Sequence, residues 1–146
     1  MNCLFCNIIK KEIGAEIVYE DGETMVFLDT HPRAPGHVMV VPKFHAENIA
    51  DLPNEEVGPV FLTVKKITGI LSKTFLPREN VPGGQRPDGF TIGINQGKAS
   101  GQVINHLHVH IIPRFNDDEG KSIHSVVNNP PKESLAAIAE RIRAKS

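Results

Sequence analysis

The order of predicted elements places this chain in the α+β class, with a mostly antiparallel five-stranded sheet. A short helix precedes three strands, a long helix separates these from two more strands, and a second short helix closes the chain. Strands and helices do not alternate, as they would in a parallel doubly wound sheet. The length of 146 residues suits one domain, which we expect to span residues 1–146.

The first half contains a helix and three strands. Apolar residues at helical spacing predict a helix over Leu4–Ile9. β-Branched and aromatic residues predict strands at Glu16–Glu20 and Thr24–Asp29, joined as a hairpin across Asp21-Gly22. A third strand is predicted at His37–Val41, where a proline follows.

The second half begins with the long central helix, capped at Asn54. Leu76–Asp88 is rich in proline and glycine and is predicted to be a surface loop. Strands are predicted at Phe90–Asn95 and Leu107–Pro113, and a closing helix at Lys132–Lys145. Apolar residues follow the 3.6-residue period in the central helix at Val57, Val60, Phe61, Val64, Ile67, Ile70, Leu71 and Phe75, and in the closing helix at Leu135, Ile138 and Ile142.

Composition limits the classes of partner. Sixteen basic and 17 acidic residues give a net charge of -1, so no charge excess favours nucleic acid or a membrane surface. Without an apolar stretch near the roughly 20 residues of a membrane span, we expect a cytoplasmic protein. Cys3 and Cys6 suit a metal site or a redox pair better than a structural disulfide.

Three histidines alternate with apolar residues near the end of the sheet. On a strand, His106, His108 and His110 would line one face while Leu107 and Val109 point to the core. Three titratable rings in a row are costly to bury, so the pattern favours a functional site. A three-histidine metal site and tolerated polar residues are the alternatives.

The segment Asn95–Gln102 comes shortly before these histidines. Its glycines permit close backbone approach, and its amides and hydroxyl can donate to phosphate oxygens. An ordinary turn is the alternative, and no Gly-Lys-Ser/Thr opens a helix as in a P-loop. The segment is therefore predicted to be an anion-binding loop.

The run from His106 to Ile112 resembles the signature of the histidine triad (HIT) family, which is His-x-His-x-His-x-x with x apolar. The resemblance covers about 110 residues. It includes Phe27-Leu28-Asp29, Pro35-Gly36-His37, Val41-Pro42-Lys43-Phe44-His45, the long helix, Asn95 and Gly101-Gln102. It implies a HIT-like fold with its core at about 3–114, a variable extension at 115–146 that informs nothing about catalysis, and a homodimer.

The resemblance also implies catalytic roles. His108 would be the nucleophile and form a nucleotidyl-histidine, while His110, Gln102, Asn95 and the backbone at Gly101 stabilise the phosphate. Ser100 would assist, and no cofactor would be needed for catalysis. Val103 stands where one branch of the family has a serine that helps the leaving amine.

For the nucleoside, the resemblance implies that Asp29 accepts the ribose hydroxyls. An apolar slot for a purine base would be formed by Phe5, Ile8, Phe27 and Leu28. A turn-capping role for Asp29 and core packing for the four apolar residues are the alternatives.

The two cysteines resemble those of a subgroup, among Hint-like bacterial-type members, that binds structural zinc. The ligands implied are Cys3, Cys6, His45 and His106. Because strict strand geometry would put His106 beside His108, this ligand set requires an irregular start of the strand. A pair of free thiols is the alternative.

These expectations lead to a function. A hydrolase or transferase would act at the α-phosphate of nucleoside 5′-phosphoramidates or related adenylyl conjugates and release the nucleoside monophosphate. The ending Ile112-Pro113-Arg114 is similar to the branch that hydrolyses dinucleoside polyphosphates, the first alternative. A nucleotide-binding scaffold with vestigial catalysis and a three-histidine metalloenzyme are the others.

Overall fold

A computed structural model describes residues 2–146, which form three α-helices and seven β-strands. The helices are α1 (Leu4–Ile9), α2 (Asn54–Leu71) and α3 (Leu135–Arg143), and the strands are β1 (Ile17–Glu20), β2 (Thr24–Leu28), β3 (Val38–Pro42), β4 (Leu76–Arg78), β5 (Val81–Gln85), β6 (Gly89–Gly93) and β7 (Val109–Arg114). Short 3-10 turns lie at Ile49–Asp51, Lys98–Ser100 and Ile123–Ser125.

Five strands form one sheet in the order β1-β2-β3-β7-β6, with antiparallel neighbours throughout. The predicted α+β class and five-stranded antiparallel sheet are therefore confirmed. β7 carries His110, follows directly after His108, and pairs with β3 on one side and β6 on the other. The candidate site thus lies on an inner strand, where pairing on both sides fixes the backbone.

Apolar side chains cover both faces of the sheet. On one face, Val26 and Val40 pack with Val109 and Ile111 against α2. On the other, Met25, Phe27, Met39 and Val41 pack against Phe5 and Ile8 of α1. This alternation follows the two-residue period of strands, so His108 and His110 point to the α1 face.

α2 buries a narrower stripe than its sequence predicts. Val60, Thr63, Val64, Ile67 and Leu71 are buried, whereas the predicted stripe members Phe61, Ile70 and Phe75 are exposed. Phe75 lies beyond the end of the helix. The sheet covers only one side of α2, so apolar residues about 100° away from the buried stripe stay in solvent.

The prediction of a surface loop at Leu76–Asp88 is wrong, because β4 and β5 form a separate two-stranded hairpin there. Glu79-Asn80 makes the turn, with Asn80 at a φ of 60°. Gly84 has a φ of 78°, and a Cβ at that position would clash with the backbone carbonyl of Leu76. Gly84, one of the two glycines that suggested a loop, is therefore the residue that lets β5 approach β4 closely.

The hairpin predicted across Asp21-Gly22 is confirmed as the β1–β2 pair, but its turn is stabilised differently. The Oδ1 atom of Asp21 accepts hydrogen bonds from the backbone N–H groups of Glu23 and Thr24 and from the Thr24 hydroxyl. Gly22 is not among the residues with positive φ. A carboxylate, and not a left-handed glycine, therefore closes this turn.

The C-terminal helix is shorter than predicted, and its apolar stripe is largely exposed. It begins at Leu135 after a cap in which the Ser134 hydroxyl accepts from Ala137 N–H. Leu135 and Ile142 remain in solvent. Within residues 2–146, none of the helices has the length and hydrophobicity required to cross a bilayer.

Candidate active site and metal centre

His106 lies ahead of β7, which begins only at Val109. Its Nε2 is 2.8 Å from the Pro42 carbonyl oxygen, and since a carbonyl only accepts, Nε2 carries the proton. The Nδ1 lone pair then faces the N-terminal cysteines. The prediction that three imidazoles line one strand face is corrected: the irregular start turns His106 away, and only His108 and His110 stay neighbours, with ring centroids 4.9 Å apart.

The four predicted zinc ligands converge, with ligand atoms within 4.8 Å of one another. The His45 and His106 Nδ1 atoms are 3.2 Å apart, and sulfur-to-nitrogen distances are 3.3–3.5 Å. A tetrahedral zinc with usual bond lengths separates two nitrogens by about 3.3 Å and sulfur from nitrogen by about 3.5 Å. Cys3, Cys6, His45 and His106 therefore fit a zinc ion without rearrangement.

The electrostatics of this cluster also suit a cation. Burial and the neighbouring Cys3 raise the pKa of the Cys6 thiol, because two thiolates repel each other in a partly buried site. Burial lowers the pKa of His106, which keeps its ring neutral. A bound cation relieves the repulsion between the thiolates and uses the neutral imidazole as a ligand.

His108 is held by a backbone acceptor. Its Nδ1 lies 2.8 Å from the carbonyl oxygen of His106, so Nδ1 carries the proton, and Nε2 of the neutral ring keeps a lone pair. The Phe5 ring packs edge-on against it at a centroid distance of 5.2 Å. Only 7 % of His108 is exposed, so packing fixes the ring orientation.

His110 is the second residue of β7 and belongs to a second cluster of polar side chains, with Asp29 and His37. Its Nδ1 lies 2.9 Å from Nε2 of His37 and 3.8 Å from the Asp29 carboxylate. Burial and the nearby His108 and His37 rings lower the pKa of His110 to about 4, outweighing the opposite effect of Asp29. At neutral pH, His110 is therefore uncharged.

A groove with a volume of about 1610 Å³ opens beside this cluster. Of the predicted site residues, Asp29, Asn95, Ser100, Gly101 and His110 line it. The predicted residues absent from the lining are His108, Gln102, Phe5, Ile8, Phe27 and Leu28. The wall also includes Ile123, Val126 and Val127. The extension at 115–146 thus borders the groove, although its sequence matches no family pattern.

Gln102 does not point a free donor into the groove. Its Nε2 donates to the carbonyls of Glu47 and Ile104, and its Oε1 accepts from Gly97 N–H. Both amide protons are used, so the expected contact with phosphate is not available in this conformation. Gln102 instead holds the loop in place, and the Ser100 hydroxyl likewise donates within the loop, to the carbonyls of Gln96 and Gly97.

The predicted base slot is divided between core and surface. Phe5, Ile8 and Phe27 are 4 %, 6 % and 2 % exposed and belong to the apolar cluster between α1 and the sheet. Core packing, the alternative reading of these residues, accounts for their positions. Leu28 is 37 % exposed, but it does not line the groove, and the alternation along β2 turns it to the face opposite Phe27.

His37 was missed as a site residue by sequence reasoning, although it lies between Asp29 and His110. Its Nε2 is 3.5 Å from the Asp29 carboxylate. The sequence contains part of the signal, because His37 follows Pro35-Gly36 in a segment that resembles the family and begins the strand predicted at His37–Val41. What the sequence does not show is the β3–β7 register, with Val38 opposite Ile111 and Met39 opposite His110.

Together, the fold and the site define an α+β domain with a histidine-rich groove on the α1 face of its sheet and a Cys₂His₂ cluster beside it. A sequence model of the HIT domain matches residues 10–117. The chain therefore belongs to the HIT family. Cys3 and Cys6 lie outside the matched residues, so the family match does not cover them.

Individual relatives show the same family. A HIT-like protein of Methanocaldococcus jannaschii is 41 % identical over 116 residues, which covers 80 % of this chain and 81 % of the relative. An adenosine 5′-monophosphoramidase of Candida albicans is 30 % identical over 142 residues, or 97 % of this chain and 90 % of the relative.

Solved structures extend the likeness to the whole chain. A HIT family member from Bacillus subtilis has a TM-score of 0.83 at 31 % identity and covers 100 % of this chain and 98 % of its own. A Zn-bound histidine triad protein from Mycobacterium smegmatis has a TM-score of 0.72 at 32 % identity and covers 99 % and 98 %.

Proposed function

We propose that this protein is a nucleotide hydrolase that acts at the α-phosphate of nucleoside 5′-phosphoramidates or related adenylyl conjugates. The observation that carries the proposal is the His108 hydrogen bond to the His106 carbonyl, which leaves a lone pair on Nε2 of a ring packed against that of His110. The kinship with an adenosine 5′-monophosphoramidase supports this substrate class.

The reaction would proceed in two displacements. First, Nε2 of His108 forms a bond to the α-phosphorus, and the bond from phosphorus to the leaving nitrogen or oxygen breaks. The leaving group departs into the open groove and takes a proton from solvent. Second, water attacks phosphorus, its proton passes to solvent, the P–N bond to His108 breaks, and the nucleoside monophosphate is released.

The other site residues would bind the nucleotide. His110 and the amide of Asn95 would donate to phosphate oxygens, with the backbone around Gly101 next to them. The Asp29 carboxylate would accept the ribose hydroxyls, and the purine base would lie in the groove beside it. Gln102 would act through the loop that it holds together.

A direct test compares turnover by wild type, His108→Ala and the control His124→Ala. His124 is exposed and lies outside the groove lining. We expect His108→Ala to lose at least a thousandfold in kcat on an adenosine phosphoramidate, with His124→Ala unchanged. Full activity of His108→Ala would refute the mechanism, and a lack of turnover by wild type would refute the function.

Dinucleoside polyphosphate hydrolysis is the second candidate, favoured by the size of the groove and by Arg33 and Lys121 on its wall. The Arg114 guanidinium, part of the motif that suggested this activity, is already bound to Asp118 and Thr91. Measuring kcat/KM on a diadenosine polyphosphate beside the phosphoramidate ranks the two activities.

We further propose that the Cys₂His₂ cluster binds structural zinc and takes no part in the chemistry. The ligand distances fit a tetrahedral ion, and a similar protein is Zn-bound. An ion there would connect α1 to the start of β7 and to the segment after β3. It would also hold the His106 carbonyl that orients His108.

A homodimer in the cytoplasm completes the proposal. β6 is an edge strand with Ile92 exposed, and α2 exposes Phe61 and Leu62, surfaces that a second copy would cover. Reduced thiols at Cys3 and Cys6 suit a cytoplasmic metal site. Light scattering coupled to gel filtration should give twice the monomer mass; a monomer mass would refute the dimer.

A further inference from the structure

The proposed reaction leaves one buried histidine without a role. His37 precedes β3, is 3 % exposed, and contacts Asp29, Arg33 and His110. Burial lowers its pKa, and the nearby Arg33 charge adds to this effect while Asp29 opposes it. Its ring is therefore neutral at pH 7 and carries one proton on one of its two nitrogens.

The position of that proton follows from a backbone contact. The N–H of Arg33 lies 3.1 Å from Nδ1 of His37, and since a backbone N–H only donates, Nδ1 must keep its lone pair. The single proton of the neutral His37 ring is consequently on Nε2.

The proton on His37 Nε2 determines the tautomer of the neighbouring His110. Nε2 of His37 lies 2.9 Å from Nδ1 of His110, a closer acceptor than the Asp29 carboxylate at 3.5 Å. The His37 N–H therefore donates to His110, whose Nδ1 must accept. The neutral His110 ring then carries its own proton on Nε2, the nitrogen at the other side of the ring.

We infer that His37 is a positioning residue that, through this hydrogen bond, holds His110 in the tautomer whose Nε2–H donates to the substrate phosphate. The inference rests on the proposed function, because only an anionic substrate gives the fixed donor a purpose. A neutral His110 without this contact could place its proton on either nitrogen, and one of the two forms presents a lone pair to the phosphate oxygen.

A metal ion between Asp29, His37 and His110 is the competing arrangement, since their ligand atoms also converge. The proton positions argue against it. At the Cys₂His₂ cluster, the N–H of His106 donates to a carbonyl and frees the nitrogen that faces the cysteines. At His37, the backbone N–H of Arg33 occupies the outer nitrogen, so the nitrogen facing His110 is the protonated one.

Two substitutions of His37 test this positioning role, because both introduce a side-chain amide but only the longer one extends to His110. The amide nitrogen of Gln corresponds in position to Nε2 of histidine, whereas that of Asn corresponds to Nδ1. His37→Gln can therefore donate to His110, and His37→Asn cannot. We expect kcat to fall about tenfold in His37→Asn with KM changed less than twofold, and to stay within about threefold of wild type in His37→Gln. Equal kcat values for the two variants would overturn the inference.

A second measurement separates this inference from the proposed function. In ¹⁵N-labelled wild type with no substrate, nitrogen chemical shifts should show His110 with an unprotonated Nδ1 and a protonated Nε2. His37→Gln should keep this pattern, and His37→Asn should move it toward a mixture of tautomers. A protonated Nδ1 in wild type overturns the positioning role even if turnover is normal. The expected shifts without any turnover would leave the positioning intact and overturn the function.

Discussion

At the scale of single residues, backbone carbonyls and N–H groups determine which nitrogen of each histidine is available. The His106 carbonyl keeps the proton of His108 on Nδ1, and the Pro42 carbonyl keeps that of His106 on Nε2. These neighbouring histidines therefore present opposite nitrogens, one to the proposed substrate and the other to the proposed zinc. One sequence pattern thus contains two different sites, because each ring has a different backbone partner.

Asp29 provides the test of nucleoside recognition. A carboxylate accepts from two ribose hydroxyls through two oxygens, whereas the side-chain amide of an asparagine has a single acceptor oxygen. Asp29→Asn should raise KM about tenfold for an adenosine conjugate while leaving kcat nearly unchanged. Steady-state kinetics measure both constants.

A substrate without ribose hydroxyls is the control for this substitution. Wild type and Asp29→Asn should have similar KM values for the 2′,3′-dideoxyadenosine conjugate. If the variant is impaired equally on both substrates, Asp29 acts on His37 and His110 and not on the sugar.

At the scale of elements, the proposed zinc joins α1 to the start of β7 and to the segment after β3. α1 has six residues and is too short to be stable alone, so its position depends on Phe5, Ile8 and the metal ligands. The ion would stabilise the docked helix more than the distant β4–β5 hairpin. Its loss should therefore weaken folding without changing the groove chemistry directly.

Substitution of one ligand measures that contribution. Cys6→Ser should reduce bound zinc from one equivalent to almost none and lower the unfolding free energy by about 3 kcal/mol, or Tm by about 10 °C. Elemental analysis and thermal unfolding are the measurements. Ser72→Ala, on the exposed end of α2, should keep both values. A metal-free wild type, or unchanged zinc in Cys6→Ser, would contradict the assignment.

Some helices and strands could be predicted from their sequences, and the β4–β5 hairpin could not. Strands β2 and β3 are short continuous runs of mostly apolar residues, and the buried stripe of α2 follows the helical period, so residue patterns were sufficient. The β4–β5 hairpin was missed because Gly83 and Gly84 are turn formers, and the role of Gly84 in the strand depends on the nearby Leu76 backbone. The strand pairing, which the residue types do not show, decided that case.

In the candidate site, too, local sequence motifs were predictable and contacts set by the fold were not. The three-histidine pattern and the Cys-x-x-Cys motif located both clusters, since both signals are local in the sequence. The hydrogen bond from Gln102 to the Glu47 carbonyl and the contact of His37 with His110 depend on strand register and loop geometry. Neither has a sequence signature in a single chain.

At the scale of the whole molecule, the buried histidines couple stability to pH. The folded-state pKa of His110 is about 4, below the value of about 6.5 in an unfolded chain. Between these values the unfolded state binds a proton that the folded state does not. Stability contributed in this way is complete above about pH 6.5 and is lost as pH falls toward 4.

Chemical denaturation at pH 7 and pH 5 checks this coupling. The unfolding free energy of wild type should fall on acidification, and His110→Gln should lose about 2 kcal/mol less over the same interval. Because zinc ligands also titrate, the difference between the two proteins is the informative quantity. His124→Gln should have the same pH dependence as wild type; an equal dependence in His110→Gln would show that His110 is not buried in the neutral form.

The central claim is that Nε2 of His108 attacks phosphorus. Wild type mixed with an adenosine phosphoramidate and quenched in alkali, where phosphohistidine bonds survive, should yield a peptide carrying one adenylyl group on His108 by mass spectrometry. His110→Gln should retain this adduct, and His108→Ala should have none. An adduct on His110 or His37, or turnover with no adduct at any quench time, would contradict the account.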